Sequence, residues 1–147
     1  MDLLSSLRIS SSGLAAQRKR MEAHSSNIAN AQTTKTAEGG PYRRKEVVFG
    51  SEPARDTFSE ILEGELAENA QTVHATEVVH SDKVQMKHDP THPDADPVTG
   101  YVAMPDVNPM VEMANMIEAQ RAYESNITAI NTTKQMAMKT LEIGRGN

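Results

Sequence analysis

The sequence predicts an α+β fold, in which two long N- and C-terminal helices pair as a coiled coil and a small β-containing domain is inserted between them. Three observations predict it. A seven-residue apolar repeat lies near the N-terminus, a longer apolar stripe with helical spacing lies near the C-terminus, and runs of β-branched residues lie between them. The predicted division is a helix in residues 1–34, a β-rich segment in residues 35–107 and a helix in residues 108–147.

The N-terminal helix is predicted from the recurrence of Leu7, Leu14, Met21 and Ile28 at a spacing of seven, which is typical of a narrow coiled-coil seam. Asp2 suits the N-cap position. Seven serines at positions 5, 6, 10, 11, 12, 25 and 26, together with a glycine at 13, weaken the intrinsic helix propensity. We therefore expect a partner helix to stabilise this segment.

The C-terminal helix is predicted to begin at Asn108, as the N-cap, and Pro109, which suits the first helical position. Glu112 near this start favours the helix dipole, and Gly144 lies where a helix C-terminus is expected. A helix over residues 109–143 is about 50 Å long, which indicates an extended object. Its apolar stripe consists of Met113, Met116, Gln120, Tyr123, Ile127, Ile130, Lys134, Ala137 and Leu141.

Four short strands are predicted between the helices, at residues 45–49, 72–80, 83–87 and 101–104, with a turn at Ser81 and Asp82. The proline-rich stretch 88–100 predicts an ordered loop. Residues 51–71 are acidic. Within that stretch, the spacing of Phe58, Ile61, Leu62 and Leu66 is consistent with a short amphipathic helix.

The composition excludes several classes of protein. The chain of 147 residues has a net charge of -5 and only 3% aromatic residues, which disfavours a nucleic-acid binder. No apolar run reaches the roughly 20 residues of a transmembrane helix. The N-terminus lacks the basic leader of a cleaved secretory signal, and the absence of cysteine excludes disulfides and thiolate chemistry.

The loop cluster of His88, Asp89, His92, Asp94 and Asp96 offers side chains that could bind a metal. The prolines at 90 and 93 prevent a helix that would bring the two histidines together, so turn formation is the favoured interpretation. His24 beside Ser25 and Ser26 is interpreted as a coincidence on a helix surface. We expect no catalytic residue, no metal and no cofactor.

Two further groups of residues have both a structural and a functional interpretation. The basic group is usually a solvated face, although it could complement acidic residues 51–110 of a neighbouring copy; it comprises Arg18, Lys19, Arg20, Arg43, Arg44 and Lys45. The methionine group is expected to fill gaps in helix packing; it comprises Met104, Met110, Met113 and Met116.

The chain resembles one known family over roughly residues 1–50 and 88–145, and five segments carry the resemblance. They are SGLAAQRKRMEAHSSNIANAQTT at 12–34, GGPYRRKEVVF at 39–49, DPTHPDAD at 89–96, GYVAMPDVNP at 100–109 and RAYESNITAINTTKQMAMKTLEIGR at 121–145. These segments resemble the bacterial flagellar basal-body rod proteins, and GGPYRR together with DPTHPDAD narrows the resemblance to a subunit of the proximal rod. Ser26 departs from the family pattern, in which asparagine is usual at that position.

The resemblance implies that the terminal helices form the inner wall of a hollow rod, with the β-containing segment outside. It also implies export without a cleaved signal, assembly in the periplasm with copies of itself and other rod proteins, contact with the inner-membrane ring and export apparatus, transmission of torque and passage of later subunits. The expected assembly interface comprises Leu7, Leu14, Met21, Ile28, Met113, Met116, Tyr123, Ile127, Ile130 and Leu141. We expect the termini to become ordered on assembly. A soluble coiled-coil adaptor is the main alternative, and a metal-dependent enzyme built on the 88–96 loop is a third.

Overall fold

The structure, a computed structural model, describes residues 3–53 and 71–144. These residues form α1 (Leu3–Ala29), β1 (Lys45–Pro53), β2 (Gln71–His80), β3 (Val84–His88), β4 (Tyr101–Pro105) and α2 (Pro109–Gly144). A helix near each terminus with a small two-sheet β region between them confirms the predicted α+β class. The suggested cap at Asp2 and the suggested amphipathic helix around residues 58–66 lie outside the described residues.

Polar side chains cap the C-terminal end of α1 and the N-terminal end of α2. The Asn108 side-chain oxygen accepts a hydrogen bond from the Met110 amide at 3.0 Å, and its carbonyl accepts one from the Glu112 amide at 3.0 Å, which confirms the predicted start of α2. After the last residue of α1, the Asn30 side chain donates to the Ser26 carbonyl at 2.9 Å. Polar side chains therefore mark the position at which α1 ends and the position at which α2 begins.

The strands form two separate two-stranded sheets, β1–β2 and β3–β4, among the described residues. The β3–β4 pair is antiparallel, with Val84 opposite Pro105 and His88 opposite Tyr101. All four predicted strands are confirmed, although β1 extends beyond Phe49 to Pro53. Gly50 permits this extension, because a Cβ atom at that position would lie only 2.5 Å from the Thr76 hydroxyl oxygen.

The loop between β3 and β4 is built from local turns, as its prolines and aspartates predict. The Asp96 carboxylate accepts hydrogen bonds from the Val98 and Thr99 amides at 2.8 and 3.2 Å. Gly100 closes the loop with a φ of 68°, a left-handed conformation that favours glycine. The loop thus returns the chain directly into β4.

The chain divides into two compact units. We call them the terminal unit, which comprises Met1–Lys19, Phe49–Thr76 and Ala119–Asn147, and the central unit, which comprises Arg20–Val48 and Glu77–Glu118. Each contains a segment of α1 and a segment of α2, and the three-part division at residues 34 and 107 stays a prediction. Within the part of the chain that the structure describes, neither helix is long and apolar enough to cross a membrane.

Candidate functional site

A buried cluster of polar side chains joins α1, the segment that leads into β1, and α2 within the central unit. We call it the polar junction, and its members are His24, Asn27, Tyr42, Arg44 and Glu112. Glu112 lies at its centre and is only 1% exposed. One carboxylate oxygen of Glu112 accepts hydrogen bonds from His24 Nδ1 at 2.7 Å and Asn27 Nδ2 at 3.0 Å, and the other accepts from Arg44 Nε at 2.7 Å.

Asn27, which is 0% exposed, connects the helices to the strand. Its amide nitrogen donates to the Lys45 carbonyl at 2.9 Å as well as to Glu112. Its carbonyl oxygen accepts from the Lys45 amide at 2.8 Å and from the Tyr42 hydroxyl at 3.0 Å. All four hydrogen-bonding positions of this side chain are therefore occupied, which compensates for its burial.

The charges of the junction balance. Burial acts to raise the pKa of Glu112, but hydrogen bonds from Asn27, His24 and Arg44 and the charge of Arg44 outweigh it, so the pKa lies below its ordinary value. Burial likewise acts to lower the pKa of Arg44, but the hydrogen bonds and charges of Glu112 and Glu46 outweigh it, so this pKa is raised. Glu112 and Arg44 are therefore both ionised at neutral pH.

His24 is in a defined hydrogen-bonding state. Because the ionised Glu112 carboxylate can only accept, His24 Nδ1 must be the donor. Its Nε2 atom is buried and has no hydrogen-bond partner among the described residues. The polar junction as a whole holds together three segments from distant parts of the sequence.

The predicted assembly residues lie outside the polar junction. The four on α1 are half-buried: Leu7, Leu14, Met21 and Ile28. On α2, Met116, Tyr123 and Ile130 are half-buried, whereas Met113, Ile127 and Leu141 are exposed. A single chain thus buries none of them fully, and their role in assembly stays a prediction.

The covered face of α2 is displaced by one residue from part of the predicted stripe. The buried residues of this face are Glu112, Ala119 and Thr133, each of which directly precedes a residue of the predicted stripe. Between them lie half-buried residues that the stripe did include: Met116, Tyr123, Ile130 and Ala137. Glu112 is covered because it lies in the polar junction, whereas Ala119 is covered because its small side chain permits close packing. In the terminal unit, a Cβ atom on Gly13 would lie 3.0 Å from the Asn126 side-chain nitrogen.

The structure corrects two interpretations of charged and titratable residues. The surface position predicted for His24 is wrong, since this residue is buried against Glu112. The solvated face predicted for the basic group is wrong for Arg44, which is half-buried in the junction. Arg43 is exposed and contacts Asp82 of the same chain.

Several loop residues that were considered as metal ligands make hydrogen bonds or ring contacts with other side chains and with the backbone. His88 packs edge-on against Tyr101 with ring centroids 5.1 Å apart, and His92 Nδ1 accepts a hydrogen bond from the Asp94 amide at 3.1 Å. The Asp94 carboxylate accepts from the Thr34 hydroxyl at 2.7 Å. Within residues 3–53 and 71–144, no three histidine or acidic side chains are grouped as a metal site.

Sequence reasoning missed the junction because its members are far apart in the chain. No sequence motif links Glu112 to Asn27 or His24, which lie 85 and 88 residues before it in the chain. One signal was available: Glu112 is four residues before Met116 and seven before Ala119, so it lies on an apolar helix face. A glutamate in that position needs buried partners.

Comparison with known proteins identifies the class. A family described as "Flagella basal body rod protein" matches residues 7–35, and one described as "Flagellar basal body rod FlgEFG protein C-terminal" matches residues 98–143. These matches cover most of α1 and α2. The chain belongs to the flagellar basal-body rod protein family and is a structural subunit of the flagellar basal body.

Full-length relatives give a more particular similarity. The chain is 40% identical to the flagellar basal-body rod protein FlgC of Bacillus subtilis and 39% identical to that of Borreliella burgdorferi. It is 37% identical to FlgC of Salmonella typhimurium. In each comparison the alignment covers 99% of this chain and 100% of the relative.

Proposed function

We propose that this chain polymerises with copies of itself and with other rod proteins into the hollow proximal rod of the flagellar basal body. The observation that carries the proposal is the similarity to FlgC proteins along the entire chain, at 37–40% identity in three organisms. The helices support it by their lengths of 27 and 36 residues, since the longer spans about 54 Å.

In this proposal, the terminal helices line the inner wall of the rod and the strands with their loops form its outer part. Large apolar side chains that the free chain leaves exposed on α2, including Ile127 and Leu141, are buried by neighbouring subunits. A stretch of exposed apolar residues is what an assembling surface requires. The terminal segments therefore complete their ordering when the subunit enters the rod.

The remaining roles follow from this placement. The rod transmits motor torque and conducts later subunits, and the chain reaches the periplasm through the export apparatus. Its partners at the base are the inner-membrane ring and the export apparatus. The subunit works without catalysis, cofactor or metal.

Mass spectrometry of detergent-extracted basal bodies tests the proposal, with the cytosolic fraction as the control. The expected result is that the chain is enriched in basal bodies and remains after treatments that remove loosely bound proteins. Recovery only from the cytosol would contradict the rod assignment and favour the coiled-coil adaptor.

A further inference from the structure

The second half of β2 and the whole of β3 are exposed on both faces. Residues 77–80 and 84–88 belong to the central unit, and every one of their side chains is exposed. The apolar ones among them are Val78, Val79, Val84 and Met86, at 42%, 39%, 41% and 64%. Because successive side chains of a strand point to opposite faces, neither face of these segments is packed against a core in the described chain.

Each of these strands also has an unpaired edge. The described strands form two separate two-stranded sheets, in which β2 pairs with β1 and β3 pairs with β4. Although only residues 81–83 connect β2 to β3, these two strands are not paired with each other. Within the described residues, the second edge of each strand therefore has no strand beside it. Such an edge is a template for another strand, and a two-stranded sheet is marginally stable by itself.

One antiparallel register between the two edges matches opposite charges and apolar side chains together. It places Glu77 opposite Lys87, and Val78 opposite Met86. Since alternate residues of a strand share a face, the two charged residues then lie on one face, and Val84 joins Val78 and Met86 on the other. A shift of one residue would instead place Lys87 opposite Val78. The complementarity is therefore specific to this register.

We propose that the unpaired edge of β2 pairs in this register with the unpaired edge of β3 in a second copy of this chain. Lysine on an edge discourages pairing with most strands, and Glu77 supplies the counter-charge for Lys87. Each copy offers both edges, so the contact is head-to-tail and repeats from one subunit to the next, as a ring or helical polymer requires. This inference rests on the proposed function, because the rod is what brings copies of the chain side by side.

The absence of native cysteine permits a direct test by disulfide cross-linking. Basal bodies are purified from a strain whose chain carries Val78→Cys and Met86→Cys, and they are treated with a mild oxidant. Directly opposite residues of an antiparallel pair have Cβ atoms about 4.5–5.5 Å apart, so a small movement allows a disulfide bond. We expect dimers and larger multimers of the chain on a non-reducing gel.

The matched control carries Val79→Cys with Met86→Cys. Val79 is exposed to a similar extent as Val78 but points to the opposite face of β2. The control should give at least about tenfold less cross-linked dimer. Equal cross-linking of the two pairs would overturn the register. A disulfide confined to monomers, or one formed with a different rod protein, would overturn the pairing with a second copy.

A charge exchange tests the same contact without cysteine. Glu77→Lys or Lys87→Glu alone sets like charges opposite each other and should lower the amount of chain in basal bodies at least about threefold. The double variant restores opposite charges and should regain the wild-type amount. Circular dichroism of the purified variants establishes that they fold alike.

The outcomes separate this inference from the proposed function. Wild-type incorporation of both single variants, or no recovery in the double variant, would overturn the strand pairing and leave the rod function intact. Absence of the wild-type chain from basal bodies would instead refute the proposed function.

Discussion

The two compact units bury different kinds of side chain. The central unit buries Tyr42, Val102 and Val107 together with the polar junction, whose hydrogen bonds are largely satisfied within the chain. In the described part of the terminal unit, the buried apolar residues are only Ala16 and Ala119. The central unit therefore has a buried core of its own, and we propose that neighbouring subunits cover apolar side chains of the terminal unit, whose own buried apolar core is small.

The largest effect is expected from a charge on the exposed face of the terminal unit. Ile127→Asp should abolish motility, because a carboxylate would be buried among neighbouring subunits without a partner. The same change should cost the free chain little, since Ile127 is 38% exposed there. Swarming assays and urea unfolding of the purified chain measure the two effects.

Ile127→Leu is the control for this substitution and should remain motile. Ile127→Ala should be intermediate, because truncation of a fully buried isoleucine costs roughly 2–5 kcal/mol. A motile Ile127→Asp strain would refute the assembly interface.

A large effect on the free chain is expected from the polar junction instead. Glu112→Ala leaves His24, Asn27 and Arg44 without their common acceptor, which should lower the free energy of unfolding by about 3–5 kcal/mol. Urea denaturation followed by circular dichroism measures it.

Glu118→Ala, an exposed glutamate on the same helix, is the matched control and should change stability by less than about 0.5 kcal/mol. Equal losses in the two variants would show that the junction contributes no more than a surface residue.

A smaller effect is expected where α1 and α2 approach within the terminal unit. Gly13→Leu places a side chain against Asn126 and should weaken packing by about 1–3 kcal/mol, which reduces rather than abolishes motility. Ala15→Leu on the exposed side of α1 is the control and should swarm normally. The prediction fails if both leucines have the same effect.

The smallest effect is the pH dependence of the central unit. Because the pKa of Glu112 is lowered on folding, its contribution to stability is fully present above the ordinary glutamate pKa of about 4.3 and is lost as pH falls through the folded value. The urea concentration at the midpoint of unfolding should therefore decrease when the pH is lowered below this ordinary glutamate pKa. Glu112→Gln should flatten that decline, and an unchanged pH profile in this variant would assign the decline to other groups.

Local signals in the sequence predicted most of the fold. Asn108 and Pro109 predicted the start of α2 because capping depends on adjacent residues, and β-branched runs predicted the strands for the same reason. The assembly residues such as Ile127 were chosen by hydrophobicity, which identifies surfaces that need covering. It does not distinguish whether the same chain or a neighbour covers them.

The polar junction could not be predicted in this way. Asn27 and Glu112 are 85 residues apart, and the pairing of a buried carboxylate with three donors depends on tertiary geometry. The contact of Gly13 with Asn126 is equally non-local, and small residues give no hydrophobic signal. The features that the sequence did not predict are therefore the buried hydrogen bonds of the polar junction and the close approach of Gly13 to Asn126.

Hydrogen exchange with mass spectrometry, applied to the free full-length chain and to purified basal bodies, tests the contrast between the units most directly. The account predicts slow exchange in the free chain for the amides of residues 20–29 and 109–118, and fast exchange for residues 3–19 and 119–144. In basal bodies, all four segments should be protected. Equally strong protection of all four segments in the free chain would contradict the dependence of the terminal unit on assembly.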